Sequence, residues 1–246
     1  MKILIVSDIH GNFFAFDTVR NQVPHDMLVC CGDVVVDFPY PEECIRALKE
    51  MTSHCCIGNN DCFVAKDLTP SQHVKPPYLH YGAALDRTVE LTQALISSES
   101  KTFLQGLPRE HRFSVDGIAF YLNHTGPDLP IYQYIHLDTP LTELLRIYQD
   151  IQADIIVTGH THIPYVKKIG GRLLINPGSI GESRDGDTRA SYAVFDTETG
   201  QVELGRMAYD TAQTIDRLKE LNFPNYSKFC LKHGCLPDDP DDDGSR

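Results

Sequence analysis

The sequence predicts an α/β fold in which buried strands deliver polar motifs at their ends. Two observations carry this. Between Lys2 and Cys62 apolar strand-like runs alternate with helix-like stretches, the pattern of a parallel βαβαβ unit. Five apolar runs then end on short motifs rich in Asp, His and Asn, which is how an open α/β sheet builds a site.

Ile3–Val6 reads as the first strand, and a helix near Phe13–Val23 follows, with Phe13, Phe16 and Val19 on one face. Strand Met27–Cys31 leads to a helix over Pro41–Met51, where Pro41 suits the first turn and Glu42 and Glu43 complement the helix dipole. Cys55–Ile57 is the expected third strand, ending at Gly58. Residues 63–110 differ: Pro76-Pro77 breaks the segment, and Ala84–Ile96 and Ser98–Gln105 read as helices. We expect this mainly helical insertion to cover the site from one side, with His73, His80 and Tyr81 as possible wall residues.

After Leu107-Pro108 the pattern becomes mainly β. His111–Val115 and Ile118–Leu122 flank Asp116-Gly117 as a hairpin. A helix at Leu141–Asp150 precedes strand Ile155–Val157. Tyr165–Ile169 with Leu173–Ile175, and Tyr192–Phe195 with Val202–Met207, read as two further hairpins, and Thr211–Leu221 as a helix. No repeat or linker interrupts the chain, so one domain is expected over 1–237, with an acidic tail over 238–246 expected to be disordered.

Bulk composition narrows the function. With 34 acidic against 22 basic residues and a net charge of −12, neither a nucleic-acid polymer nor an anionic membrane is an expected partner. Met1 to Val6 is too short for a signal segment, and no apolar stretch approaches the roughly 20 residues of a spanning helix, so a cytoplasmic location is expected. Oligomeric state is open. The adjacent pairs Cys30-Cys31 and Cys55-Cys56 lie in strand patterns and should point to opposite faces as core residues. Cys230 and Cys235 flank His233 but lack the ligand count of a zinc site. Cys62 stands close in sequence to the motif at Asn59.

The polar motifs supply seven candidate ligands: Asp8 and His10 in Ser-Asp-Ile-His, Asp33 in Cys-Gly-Asp, Asn59 in Gly-Asn-Asn-Asp, His124 in Asn-His-Thr-Gly-Pro, and His160 and His162 in Gly-His-Thr-His. Two divalent cations about 3.5–4 Å apart can hold a bridging hydroxide and neutralise phosphoryl oxygens. A mixed set of two Asp, one Asn and four His suits Mn²⁺, Fe, Co²⁺ or Zn²⁺ better than Mg²⁺ or Ca²⁺. Two such transition-metal ions are the expected cofactors.

The motif order Asp-x-His, Gly-Asp, Gly-Asn, His and Gly-His-x-His resembles that of the calcineurin-like metallophosphoesterase superfamily, from Ile3 to about Tyr209. Pro41-Glu42-Glu43-Cys44-Ile45 and Asn176-Pro177-Gly178-Ser179-Ile180-Gly181, followed by Arg184-Asp185-Gly186-Asp187, are similar to a small bacterial phosphodiesterase-like branch. The resemblance implies a four-layer α/β/β/α sandwich of two mixed sheets. It also implies that Asp8, His10, Asp33 and His162 hold one ion, that Asp33, Asn59, His124 and His160 hold the other, and that Asp33 bridges them.

Asn60 occupies the place where many relatives carry a His that protonates the leaving group. It can donate a hydrogen bond but cannot act as an acid near neutral pH, which favours substrates with good leaving groups. Gly32-Asp33-Val34-Val35-Val36-Asp37-Phe38 lacks the arginine of the protein Ser/Thr phosphatases and symmetric dinucleoside polyphosphatases.

The expected function is hydrolysis of a small phosphodiester or nucleotide-type substrate by a metal-bridging hydroxide. His124, Asn60 and Asp33 are the expected catalytic residues, and Asn60 and Arg184 the expected phosphate contacts. For Arg184, ion pairing with Asp185 or Asp187 is the competing role, and Asp61 is expected to orient a ligand. The alternatives are a phosphomonoesterase, or a metal-binding interaction module on the same fold, as in the retromer subunit. Asn176 to Ser179 read as a structural turn near the site, and Asp37 and His54 have no assigned role.

Overall fold

The computed structural model describes residues 1–245 apart from 53, 77, 131 and 132. Pro77 of the expected proline break and Arg246 of the acidic tail lie outside the described residues.

Two sheets form the centre. One has the order β2-β1-β8-β9, from β1 (Lys2–Val6), β2 (Met27–Cys30), β8 (Ala190–Asp196) and β9 (Val202–Met207). The other has the order β3-β4-β5-β7-β6, from β3 (Glu110–Val115), β4 (Ile118–Asn123), β5 (Ile155–Val157), β6 (Tyr165–Ile169) and β7 (Arg172–Asn176). Both are mixed. β1 runs parallel to β2 and antiparallel to β8, whereas β4, β5 and β7 are parallel to one another and flanked by antiparallel β3 and β6.

The side-chain period of two along each strand creates the layers. Ile3, Ile5 and Val29 point inward and pack with Phe120, Leu122, Ile155 and Val157 between the sheets. Their neighbours Leu4, Val6 and Leu28 point outward, against α1 (Phe13–Gln22), α2 (Pro41–Met51), α3 (Asn59–Ala65) and α5 (Ser98–Gly106), through Phe16, Ile45, Val64 and Leu104. Across the molecule Tyr121, Ile156 and Leu174 meet Leu144 of α6 (Leu141–Ile147) and Tyr148 just beyond it. This is the four-layer α/β/β/α sandwich of two mixed sheets that the resemblance implied. The cysteine pairs split as strand alternation requires: Cys30 and Cys55 face the helices, Cys31 and Cys56 the other sheet.

Three expectations need correction. Cys55–Ile57 makes only a single parallel bridge, Cys30 to Cys55. The ladder ends there because the Ile57 amide turns to the Pro108 carbonyl and Gly58 then caps α3. Helix α3 itself begins at Asn59, inside the motif, and Asp61 at its third position caps it by accepting the Gly58 N–H at 3.0 Å. Third, the C-terminal region contains α7 (Ala212–Glu220) and a further helix, α8 (Asn225–His233), beyond the one predicted. Pro224 before α8 and left-handed Gly234 after it are the start and stop signals that could have revealed it.

The acidic tail, expected as disordered, lies against α8 through Ser245: Tyr226 N–H donates to the Pro240 carbonyl at 3.0 Å, and Lys232 Nζ to the Asp243 carbonyl at 2.8 Å. No helix among the described residues is long and apolar enough to cross a membrane.

Candidate metal centre

Every candidate ligand sits beyond the end of a strand or, for Asn59, at the start of α3. Asp8 and His10 follow β1, Asp33 follows β2, His124 follows β4, and His160 and His162 follow β5. These strands are parallel within their sheets, so their ends gather at one edge of the sandwich. The turns are tight. Asp8, His10, Asp33, His160 and His162 have φ of 54°, 54°, 51°, 68° and 59°, in the left-handed region. Asp and His visit it more readily than most residues, but each such backbone still costs of order 1–3 kcal/mol and persists only where neighbours hold it. The holding bonds are visible. The Asn176 side-chain amide donates to the Gly159 carbonyl at 2.8 Å, Ser179 Oγ donates to the Asp8 carbonyl at 2.7 Å, and the His160 N–H reaches both Asp8 carboxylate oxygens at 3.2 Å. Asp61 clamps the other side, accepting the Val34 and Val35 amides at 2.8 and 3.2 Å.

The ligand atoms form two groups. Asp8, His10 and His162 converge, as do Asp33, His124 and His160, with the donor atoms of each group within 4.8 Å of one another. Asp33 stands between them: its Oδ2 is 3.8 Å from His10 Nε2 and 3.3 Å from His124 Nε2. His10 Nε2 and His162 Nε2 face each other at 3.1 Å. That separation suits two imidazole nitrogens directed at one shared cation.

The second group carries an independent sign. Asn59 Oδ1, His124 Nε2 and His160 Nε2 are buried with no hydrogen-bond partner. Buried polar atoms are normally paired, and three such atoms from three expected ligands fit donors directed at a cation. The residues present therefore fit a pair of divalent ions.

Imidazole orientation is set from behind. His124 Nδ1–H donates to the Cys31 carbonyl at 2.6 Å, His10 Nδ1 lies 2.9 Å from Asp37 Oδ2, and His162 Nδ1 lies 2.5 Å from the Glu182 backbone carbonyl and 3.0 Å from Glu182 Oε2. Each Nε2 is thereby left for the centre. The local charges reinforce one another. Burial works against charge on both groups, yet the His124 imidazolium holds Asp33 down at about 2, and the Asp33 and Asp8 carboxylates lift His124 to about 10. His160 falls well below its usual range, first through burial and then through the charge on His124. Burial and the nearby Asp33 charge raise Asp61 to about 6.

A cleft of about 580 Å³ opens beside the second group, and Asn59, Asn60 and His160 form its floor. Val74, Lys75, Pro76, Tyr78 and Tyr81 of the helical insertion line it together with Tyr134 and Arg184, and the Tyr78 ring lies 6.0 Å from both the Tyr134 ring and the Arg184 guanidinium. Tyr134 lies flat on His160, ring centres 4.1 Å apart and planes at 16°. His73 and His80 stand instead against Phe63 and Tyr81.

Two residues have partners that the sequence did not mark. Arg184 pairs with Glu182 at 2.9 Å, not with Asp185 or Asp187, whose partners are Arg206 and Arg189. Asn60, expected at the phosphate, directs its amide to Asp33 Oδ2 at 2.8 Å. Cys62 packs in the helix-facing core, where burial pushes its thiol up to about 12. His233 rests on Phe229, apart from the centre. Sequence reasoning missed Asp37, Glu182 and Tyr134. Asp37 follows the Asp33 motif by four residues, whereas nothing local marks Glu182 or Tyr134.

Comparison with known proteins identifies the family and the fold. The description of the calcineurin-like phosphoesterase superfamily domain matches residues 1–200, and the chain belongs to that family. It is similar to a metallophosphoesterase from Sphaerobacter thermophilus, with a TM-score of 0.78 and 26% identity over 95% of this chain and 99% of that one. Protein PH1004 from Pyrococcus horikoshii OT3 shares the fold, with a TM-score of 0.80 and 22% identity over 96% and 99% of the two chains. The uncharacterized protein MJ0912 of Methanocaldococcus jannaschii is 28% identical over 245 residues, covering 91% of this chain and 94% of the relative.

Proposed function

We propose that this protein is a dinuclear metal-dependent phosphoesterase acting on small phosphodiester or nucleotide-type substrates. The observation that carries the reading is the trio of buried, unpartnered atoms Asn59 Oδ1, His124 Nε2 and His160 Nε2, beside Asp33 and facing the Asp8–His10–His162 group. Two divalent ions bound there would supply Lewis-acid activation of water and neutralisation of phosphoryl charge. The chain's own residues do the rest. Asp33 spans the two groups, Asn60 fixes the orientation of its carboxylate, and the cleft receives the ester with His160 at its floor and Arg184 at its wall.

Beyond the two ions, the sparse charge of the cleft favours a diester over a monoester. The cations lining the cleft are Lys75 and Arg184, and Arg184 is already paired with Glu182. A dianionic monoester asks for more positive charge than this, whereas a monoanionic diester does not. The ring faces of Tyr78 and Tyr134 suit a planar ester group such as a nucleobase. Eight free cysteines suit a reducing compartment, and we assign the enzyme to the cytoplasm.

The test is hydrolysis of bis-p-nitrophenyl phosphate and p-nitrophenyl phosphate after metal removal and Mn²⁺ reconstitution, with His124→Ala and Asp33→Asn alongside. We expect Mn²⁺-dependent diester cleavage that exceeds monoester cleavage and is lost in both variants, with lower metal content in Asp33→Asn. Full activity in Asp33→Asn would refute the bridging role, and activity indifferent to metal would refute the reading as a whole.

A further inference from the structure

Two buried carboxylates outside the ligand motifs lie directly behind two of the expected ligands. Asp37 Oδ2 is 2.9 Å from His10 Nδ1, and Glu182 Oε2 is 3.0 Å from His162 Nδ1. Asp37 is 2% exposed and Glu182 1%, so water does little to solvate either charge. Burying a carboxylate is costly unless charged or hydrogen-bonding groups surround it. The C-terminal helix supplies part of that surround. Tyr226 OH donates to Asp37, and Cys230 Sγ lies 3.6 Å from Glu182 Oε1 as a weak donor. Tyr226 and Cys230 are one helical turn apart on α8 and so present the same face. Arg184 completes the shell around Glu182. Helix α8 begins 25 residues beyond position 200, where the match to the family domain ends.

The arrangement is one-sided. In the Asp33–His124–His160 group, His124 is oriented by a backbone carbonyl, that of Cys31, and His160 is covered by the Tyr134 ring. Among the described residues, carboxylates stand behind both imidazoles only in the Asp8–His10–His162 group, where His162 Nδ1 also meets the Glu182 backbone carbonyl at 2.5 Å, and only that pair of carboxylates is reached from α8.

We propose that α8 is a working part of the metal centre: through Asp37 and Glu182, Tyr226 and Cys230 are positioning residues that align His10 and His162 and set the divalent-cation affinity of the Asp8–His10–His162 group, independently of the second group. This rests on the metal-centre reading above. The physical basis is that a carboxylate accepting from the far nitrogen of an imidazole fixes its tautomer and ring plane and raises its donor strength. Removing such an outer partner lowers metal affinity by about 10–100-fold.

The test is a Mn²⁺ and Co²⁺ titration of the full-length protein after metal removal, by calorimetry and by the Co²⁺ absorption spectrum. It compares wild type, Tyr226→Phe, Cys230→Ala and Glu182→Gln, with near-ultraviolet circular dichroism reporting the fold. Wild type should take two equivalents. Tyr226→Phe and Glu182→Gln should weaken one equivalent about tenfold or more and alter its Co²⁺ band, leaving the other equivalent and the fold unchanged. Cys230→Ala should do the same to a smaller extent. Two equivalents at wild-type affinity in Tyr226→Phe and Glu182→Gln would overturn the inference while sparing the metal-centre reading. Equal weakening of both equivalents in a folded variant would also overturn it, because the independence of the two groups would be gone. A wild type that takes up no ion would sink the metal-centre reading and this inference with it.

Discussion

Asn60 donates twice to Asp33, from its backbone N–H to Oδ1 and from its side-chain amide to Oδ2, each at 2.8 Å. Both oxygens of the carboxylate between the two ligand groups are thus held by one residue. Asn60→Ala should lower divalent-metal affinity about tenfold, because the Asp33 carboxylate loses one of two bonds that fix its plane. Asn60→Asp should do worse, since it sets a like charge against Asp33. Mn²⁺ titration of the two variants measures both effects. A wild-type affinity in Asn60→Asp would refute the positioning role.

Gly159 tests how tightly the ligand turns are packed. A Cβ at this position would stand 2.1 Å from Ser7 Oγ and 2.8 Å from Asp8 Oδ2. Gly159→Ala should destabilise the fold by about 1–3 kcal/mol, the range for overpacking a closed site, and reduce bound metal. Gly106, at the end of α5, has nothing within 4 Å of the same atom. Gly106→Ala should be neutral or stabilising, by up to about 1 kcal/mol, through the unfolded chain. Urea midpoints of the two variants check the contrast.

Under the proposed function, Tyr134 offers the ester a ring and Arg184 a charge. Losing one stacked ring removes about 0.5–1.5 kcal/mol, so Tyr134→Ala should raise KM about 2–10-fold for diesters that carry an aromatic group. Tyr134→Phe should retain wild-type KM. Arg184→Gln should raise KM for every phosphate ester by about 10-fold or more, the worth of a hydrogen bond to a charged group. Steady-state kinetics on one aryl and one alkyl diester separate the two effects.

A pH-sensitive contact lies away from the metal centre. His54 Nδ1 and His111 Nε2 are 2.9 Å apart, and His54 stacks on Phe113 at 4.1 Å. Burial lowers both histidines from 6.5, and for His111 the charge on His54 adds to it. Lowered folded-state values mean that the unfolded chain takes up protons first as pH falls. This pair therefore supports the fold fully above about pH 6.5 and loses its contribution on acidification below it. Between pH 7.5 and 5 the melting temperature should fall more steeply in wild type than in His54→Phe. Parallel slopes would show that the pair does not contribute.

Fold class and the seven candidate ligands are legible in the residue pattern alone. Each ligand motif is local: a short apolar run, a Gly, and then a side chain whose chemistry is legible without neighbours, as in Gly159-His160-Thr161-His162. Strand alternation likewise placed Cys30 and Cys31 on opposite faces before any packing was known. The failures were of another kind. Cys55–Ile57 has strand composition, yet whether it pairs along its length depends on where Pro108, more than 50 residues on, takes the Ile57 amide. Arg184 has two acidic neighbours in sequence and uses neither, because Arg206 and Arg189 reach them first.

What stands behind the ligands is set by packing. Asp37 meets His10 from 27 positions on in the same half of the chain, but Glu182 meets His162, and Tyr226 meets Asp37, across separate elements. A motif records the side chain that faces a ligand. The groups that hold it in place come from whichever strands and helices the packing brings together, and hydrogen bonds over such distances leave no periodicity or spacing in the sequence to be read.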